Sequence, residues 1–254
     1  MGQLEHLEFI VDEGRAGRRA ALATVVRTDR SVPRRTGASM VIRADGSTNG
    51  SVGGGEMEAR VVRAALECMR DGVPRLVNYR LIDPASGDPG VCGGEVDVYV
   101  EPYMASPTLF IIGAGHVGRA VAELATWSGW AAHVWDDRDG LTTDLPDGAT
   151  GHSADLNEAL ASTIDERSAI VIVTRNVSVD VELLPTVLAT SARYIGVMGS
   201  GRRWSTTRDL LIAKGVTEAA LERISTPIGL EIGAETPEEI AISILAEVVR
   251  EQQR

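Results

Sequence analysis

Aromatic side chains make up only 4% of this chain, too few for the stacking platforms on which single-stranded nucleic acid is laid. Positive charge is also in deficit. The 25 Lys and Arg residues face 36 Asp and Glu, and the formal net charge of −11 would repel a phosphate backbone. No nucleic acid is therefore expected as a partner. Cysteine occurs only at Cys68 and Cys92, with no Cys-x-x-Cys pair to suggest zinc or a redox dithiol. That usage fits a reducing, cytoplasmic setting. No stretch approaches the roughly 18 apolar residues of a membrane helix, and the opening Met-Gly-Gln-Leu-Glu-His has no basic or apolar leader signature. A soluble, unexported protein with no membrane span is the expectation.

What is present reads as ordinary globular protein: 254 residues, 44% hydrophobic and 24% charged, enough for two modest domains. Over the first hundred residues, a helix is expected from Gln3 to Gly14 and strands from Arg19 to Arg27 and Ala38 to Arg43. A helix from about Glu56 to Arg70 follows, then strands from Arg75 to Ile82 and Glu95 to Glu101. Helix and strand mix there without regular alternation, which favours a small α+β domain over 1–103. Pro102-Tyr-Met-Ala-Ser-Pro107 reads as a linker. Beyond it, strands near 109–112, 131–136, 169–173 and 194–198 alternate with helices near 117–128, 155–164 and 180–191. Two more helices, about 203–214 and 236–250, close the chain. This half, 107–254, is expected to be a Rossmann-like, doubly wound parallel-sheet domain, making the whole an α/β protein.

The most specific string is Leu109-Phe-Ile-Ile-Gly-Ala-Gly-His-Val-Gly118, a strand running into G-x-G-x-x-G. Gly113 permits the tight turn, Gly115 lets backbone approach a pyrophosphate, and Gly118 lets the helix pack close to the sheet. A second strand ends in Asp136, about 20 residues on, where an acidic side chain bonds ribose hydroxyls in dinucleotide-binding folds. Asp136 with Asp137 would favour NAD over NADP, an effect that Arg138 blunts. His116, in the first turn, is either a variable residue of the turn or a donor to phosphate or metal.

Other turns carry chemistry-bearing residues. Ser31-Val-Pro-Arg-Arg-Thr-Gly-Ala places Arg34 and Arg35 on a loop that is either solvated or an anion contact. Gly53, Gly54, Gly55 and Glu56 precede a helix, forming either a flexible turn or a backbone cradle for an oxyanion. Cys92 and Gly93 sit on a glycine-flanked turn, where the thiol is either inert or reactive toward a soft metal; Cys68, inside a helix, is the packing case. Gly199, Ser200, Arg202 and Arg203 resemble a second anion cradle at a strand-to-helix turn. His6, His133 and His152 show no metal spacing and are given no role.

Taken in order, Ser31-Val-Pro-Arg-Arg-Thr-Gly, Gly50-Ser-Val-Gly-Gly-Gly-Glu, Cys92-Gly-Gly-Glu, Ile112-Gly-Ala-Gly-His-Val-Gly, Val134-Trp-Asp-Asp-Arg, Gly196-Val-Met-Gly-Ser-Gly-Arg-Arg and Pro227-Ile-Gly-Leu-Glu-Ile-Gly-Ala-Glu-Thr-Pro-Glu-Glu-Ile-Ala span nearly the whole chain. Together they resemble the XdhC/CoxI family of accessory proteins for molybdenum hydroxylases. The resemblance implies a chaperone that binds the molybdenum cofactor, as molybdopterin in its mono- or dinucleotide form. It would hold the cofactor while a cysteine desulfurase supplies sulfur and deliver it to an apo-hydroxylase of the xanthine dehydrogenase type; a homodimer is expected. The glycine cradles would take the anionic end, with the pyranopterin near the N-terminal loops and any nucleotide on the Rossmann half. Cys92 would face molybdenum or carry a persulfide. Many relatives have a His in the loop that reads Thr174-Arg-Asn-Val-Ser-Val-Asp180 here, so a metal or proton role for that loop is in doubt.

Two rivals stand beside that expectation. An NAD(P)-dependent oxidoreductase would need only the fold and Asp136, but no acid/base pair in motif context accompanies them. A nucleotide-sensing regulatory subunit would use the N-terminal domain for docking.

Overall fold

The computed structural model describes residues 3–80, 94–153 and 155–252, so Cys92 and Gly93 lie outside the described residues. The chain divides into two units, Met1–Ser106 and Pro107–Arg254. In the first, helix α1 (Gln3–Arg15) leads into β1 (Ala20–Asp29), β2 (Ser39–Arg43), β3 (Thr48–Gly50), helix α2 (Gly55–Asp71), β4 (Arg75–Arg80) and β5 (Glu95–Tyr103). The strands form an antiparallel sheet in the order β3-β2-β1-β5-β4. One face buries Ala21, Ala23 and Val25 of β1 and Val96, Val98 and Val100 of β5 against Met57, Val61, Ala65 and Cys68 of α2. The two-residue alternation of strand side chains sends Ala20 and Val41 to the other face, where they meet Ile10 of α1. Cys68 is fully buried beneath this sheet, as its helical packing position implied.

Strand β5 runs through Pro102, which the sequence had placed in the linker: Pro102 sits opposite Ala21, and Tyr103 opposite Ala20. The neighbour on the other side, β4, pairs only as far as Val100. Pro102 therefore removes an N–H where only one flank of the strand is paired, the circumstance in which sheets tolerate proline.

The second unit comprises β6 (Thr108–Ile112), α3 (His116–Trp127), β7 (Ala131–Trp135), β8 (Thr150–His152), α4 (Leu156–Thr163), β9 (Ala169–Ile172), α5 (Val177–Leu188), β10 (Tyr194–Val197), α6 (Gly201–Ala213), α7 (Glu218–Leu221), β11 (Ile224–Ser225) and α8 (Pro237–Gln252). All pairings are parallel, in the order β8-β7-β6-β9-β10-β11. Counted within the unit this is 3-2-1-4-5-6, the order of dinucleotide-binding folds, with its reversal between β6 and β9. Alternate residues feed two cores. Leu109, Ile111 and Val171 pack on Val121 and Ala125 of α3 and Ile244 and Val248 of α8. Phe110, Ile112 and Ile172 pack on Leu160 of α4, Leu184 of α5 and Leu211 of α6. Both faces being covered explains why β6 and β9 read as continuous apolar runs.

Candidate functional site

The topological reversal places a crevice beyond the carboxyl ends of β6 and β9, where ligands of such sheets bind. A cavity of 270 Å³ lies there, lined by the loop after β6, the ends of β7 and β9, and Met198 after β10. Gly113 adopts φ 116°, and a Cβ on it would come within 2.8 Å of the Val173 carbonyl oxygen. A Cβ on Gly118 would reach 1.8 Å from the Gly113 oxygen, so α3 can approach β6 only with glycine at that point. Gly115 differs: a Cβ there would meet nothing within 4 Å, and the residue opens onto the cavity. The three glycines thus divide as turn, ligand-facing position and helix contact. Gly115 caps α3 without a side chain, and the first turn of that helix leaves N–H groups lacking intrahelical acceptors. His116 lines the same cavity and is exposed.

Asp136 reaches the cavity wall with its carboxylate already engaged. It accepts the Ala114 N–H at 2.7 Å, the Arg138 N–H at 3.0 Å and the Arg138 guanidinium at 2.8 and 2.9 Å. Burial pushes its pKa upward, but the Arg138 side chain and the two backbone donors outweigh burial and hold it at about 2. Asp136 therefore ties the glycine turn to the end of β7, and Arg138 is its counter-ion. Asp137 and Arg175 form a second pair across the mouth, bidentate at 2.6 and 2.7 Å, and the Arg175 bond holds the Asp137 carboxyl below its ordinary range. The cleft thus presents two neutralised Asp–Arg pairs beside a helix N-terminus.

The turn after β10 uses its residues differently. Ser200 caps α6, accepting the Arg203 N–H at 3.3 Å. A Cβ on Gly199 would stand 2.9 Å from Cδ of Arg203, so this glycine makes way for the arginine stem. Arg203 turns inward, donating to Asp180 from Nε at 2.9 Å and from Nη2 at 2.7 Å, and to the Thr174 hydroxyl at 2.8 Å. Thr174 in turn donates to Asp180. The loop from Thr174 to Asp180 is thereby pinned to α5 and α6 by a buried network. Arg202, one residue earlier, is exposed and has no ion-pair partner among the described residues. Gly199, Ser200 and Arg202 do not line the cleft; Asp137 does, and so do Thr174, Arg175 and Met198, which the sequence reading had not placed there.

In the first unit, Gly53, Gly54 and Gly55 all adopt positive φ, forming a turn whose N–H groups converge. Their acceptor is internal. The Glu58 carboxylate takes N–H bonds from Val52 at 3.1 Å, Gly53 at 3.3 Å and Gly54 at 2.9 Å, and the Ser51 hydroxyl at 2.6 Å. Burial would raise the Glu58 pKa, yet these four donors lower it. Glu56 is instead paired with Arg63 at 2.9 Å. Arg34 is exposed on the loop between β1 and β2, where Gly37 takes φ 91°. No His, Cys, Asp or Glu group of three or more suited to a metal occurs among the described residues, and no described helix is long and apolar enough to cross a membrane.

Two family models match: one described as the XdhC Rossmann domain over residues 109–248, the other as the XdhC and CoxI family over 14–80. The uncharacterized protein YqeB of Escherichia coli is 36% identical over 235 residues, covering 91% of this chain and 43% of its own. PaoD of E. coli, a molybdenum cofactor insertion chaperone, is 26% identical over 274 residues, covering 95% and 86%. A Bacillus subtilis protein described as a probable subunit of xanthine dehydrogenase is 29% identical over 161 residues, covering 62% and 47%. The chain thus spans about half the length of two of these three relatives. A solved Bacillus halodurans structure described as a xanthine dehydrogenase shares the fold, with a TM-score of 0.50 at 22% identity over 98% of this chain and 96% of that one.

Proposed function

The chain belongs to the XdhC and CoxI family, and from that premise we propose that it carries the molybdenum cofactor, keeps it during sulfuration and delivers it to an apo-hydroxylase. The observation that supports this reading is the opening at Gly115: a backbone turn at a helix N-terminus, facing a cavity with no side chain in the way. That shape suits the phosphate or pyrophosphate end of the cofactor, which backbone donors at a helix N-terminus stabilise. Gly113, Gly115 and His116 would hold this anionic end, with Arg138 and Arg175 beside it. When bound, the cofactor brings the molybdenum and its exchangeable ligand that the recipient enzyme needs; the carrier's own residues bind and orient it.

Cys92 is proposed as the thiol that contacts the metal or passes sulfur, consistent with the softness of thiolate toward molybdenum. A cysteine desulfurase, a cytoplasmic setting and a homodimer complete the proposal. The oxidoreductase reading would place a ribose on Asp136, whose oxygens already take four donors. A nucleotide there would have to share them or displace Arg138. Holding the cofactor by its phosphate end alone makes no such demand.

The test is purification from cells that make the cofactor, followed by assay of bound molybdenum and of oxidised-pterin fluorescence. Both signals are expected with the wild-type protein, and both are expected to fall in Gly115→Val and in Cys92→Ala. Their absence from wild-type protein in a cofactor-replete strain would overturn the proposal.

A further inference from the structure

The first unit holds a second concave site, and it includes Arg34, which the sequence offered only as a general anion contact. Its cavity measures 430 Å³, and its lining includes His6, Arg34, Gly37, Ser39, Gly50 and Ser51. His6 comes from α1, Ser39 opens β2 and Gly50 ends β3, so three elements distant in sequence converge there. His6 is only 4% exposed. Its Nδ1 lies 2.9 Å from the Ser39 hydroxyl, while its Nε2 is buried with no hydrogen-bond partner among the described residues. Such an orphaned ring nitrogen is costly and calls for a ligand. Gly50 takes φ 95°, and a Cβ on it would stand 2.9 Å from Nε2 and 2.5 Å from the Ser39 carbonyl oxygen. Only glycine lets the end of β3 lie this close to the His6 ring.

The charges point one way. In a chain with 36 Asp and Glu residues, no carboxylate lines this cavity, and its one permanent charge is the Arg34 guanidinium. Arg34 is exposed and makes no ion pair with any described residue, as expected of a group held ready for a mobile anion. In the tautomer whose proton is on Nε2, Nδ1 accepts the Ser39 hydroxyl and the Nε2–H is a donor without an acceptor, and this is the tautomer an anion would select.

We propose that this cavity binds a tetrahedral oxyanion, a phosphate either free or as a monoester, held between His6 Nε2–H and the Arg34 guanidinium. Guanidinium and phosphate pair well because the donor fork matches two phosphate oxygens. All the residues lining it belong to the first unit.

The experiment follows the side-chain ¹⁵N signals of the four histidines in the full-length protein during titration with inorganic phosphate and, separately, glycerol phosphate. His6→Asn assigns the His6 signals. A saturable shift at His6 Nε2, with His133 and His152 unmoved, is expected from at least one probe, and Arg34→Gln is expected to weaken it roughly tenfold. Response to glycerol phosphate alone identifies an esterified ligand; response to inorganic phosphate alone identifies the free ion. Arg34 is exposed and unpaired among the described residues, so Arg34→Gln should fold even if His6→Asn does not. If neither probe moves the His6 signals, or if Arg34→Gln binds as tightly as wild type, the site is not an oxyanion site.

Discussion

Arg202 and Arg203 are neighbours in sequence with opposite fates. Consecutive helical residues project about 100° apart, so one guanidinium stays in solvent while the other reaches Asp180, which is 1% exposed. An adjacent pair of arginines gives no hint of which will turn inward; only the packing of α6 on α5 decides it. Removing one partner of such a buried pair strands the other charge. Asp180→Ala is expected to cost about 3–5 kcal/mol in urea denaturation. Replacing both partners with apolar residues should cost markedly less, and a double variant as unstable as the single one would refute the stranded-charge account. Asp136 yields a pH prediction. Its pKa falls from 3.8 to about 2 on folding, so the unfolded chain takes up the proton first as acid is added. The stability contributed by Asp136 is therefore complete above pH 3.8 and is lost as pH falls through about 2. Asp136→Asn should be less stable at neutral pH and flatten the acid limb over that window, as read by denaturant midpoints between about pH 5 and 2. The position of Asp136 at the end of β7 was legible in the sequence, but not the commitment of its oxygens to Ala114 and Arg138.

At the scale of single elements, the glycine fingerprint separates two effects that sequence motifs merge. Gly118→Ala drives a methyl group into the Gly113 backbone, which cannot move aside without breaking the β6 turn. A loss of at least about 2 kcal/mol is expected, on the order of other overpacking changes. Gly115→Ala meets open space at φ −74°, and its cost should stay within about 1 kcal/mol, the ordinary penalty of alanine at an N-cap. Gly115→Ala should nevertheless reduce cofactor retention, whereas a temperature midpoint close to that of Gly118→Ala would contradict this division. The turn before α2 makes a related point. Three glycines in sequence predict converging N–H groups but not what they hold, and here Glu58 fills the nest from one turn into the helix. Glu58→Ala leaves those donors without their acceptor and should destabilise the first unit by about 1–3 kcal/mol. Long elements with clear periodicity were legible in the sequence. The short edge strands β3, β8 and β11 were not, because two or three residues such as Thr150-Gly-His152 carry no alternation and exist only through a neighbouring strand.

For the whole molecule, the regular alternation of strand and helix after residue 107 announced a parallel sheet, and the order 3-2-1-4-5-6 follows from right-handed crossovers on both faces. The mixed pattern before it indicated α+β without specifying strand order, since antiparallel strands can be arranged in many ways by their loops. Each unit carries its own core. In the second, α3 and α8 cover one face of the sheet while α4, α5 and α6 cover the other, and both clusters are built wholly from residues of that unit. Residues 107–254 expressed alone are therefore expected to fold, giving a dispersed amide spectrum and a cooperative thermal transition. Gly118→Ala should lower that transition in the fragment and the corresponding one in the full chain, leaving the transition of the first unit in place. The fragment should also keep whatever phosphate or nucleotide binding belongs to the Gly115 cleft and lose the response that His6 and Arg34 provide. A fragment that remains unfolded would show that the two cores are not self-sufficient, whereas a folded fragment with the full phosphate response would relocate the second anion site to the Rossmann unit.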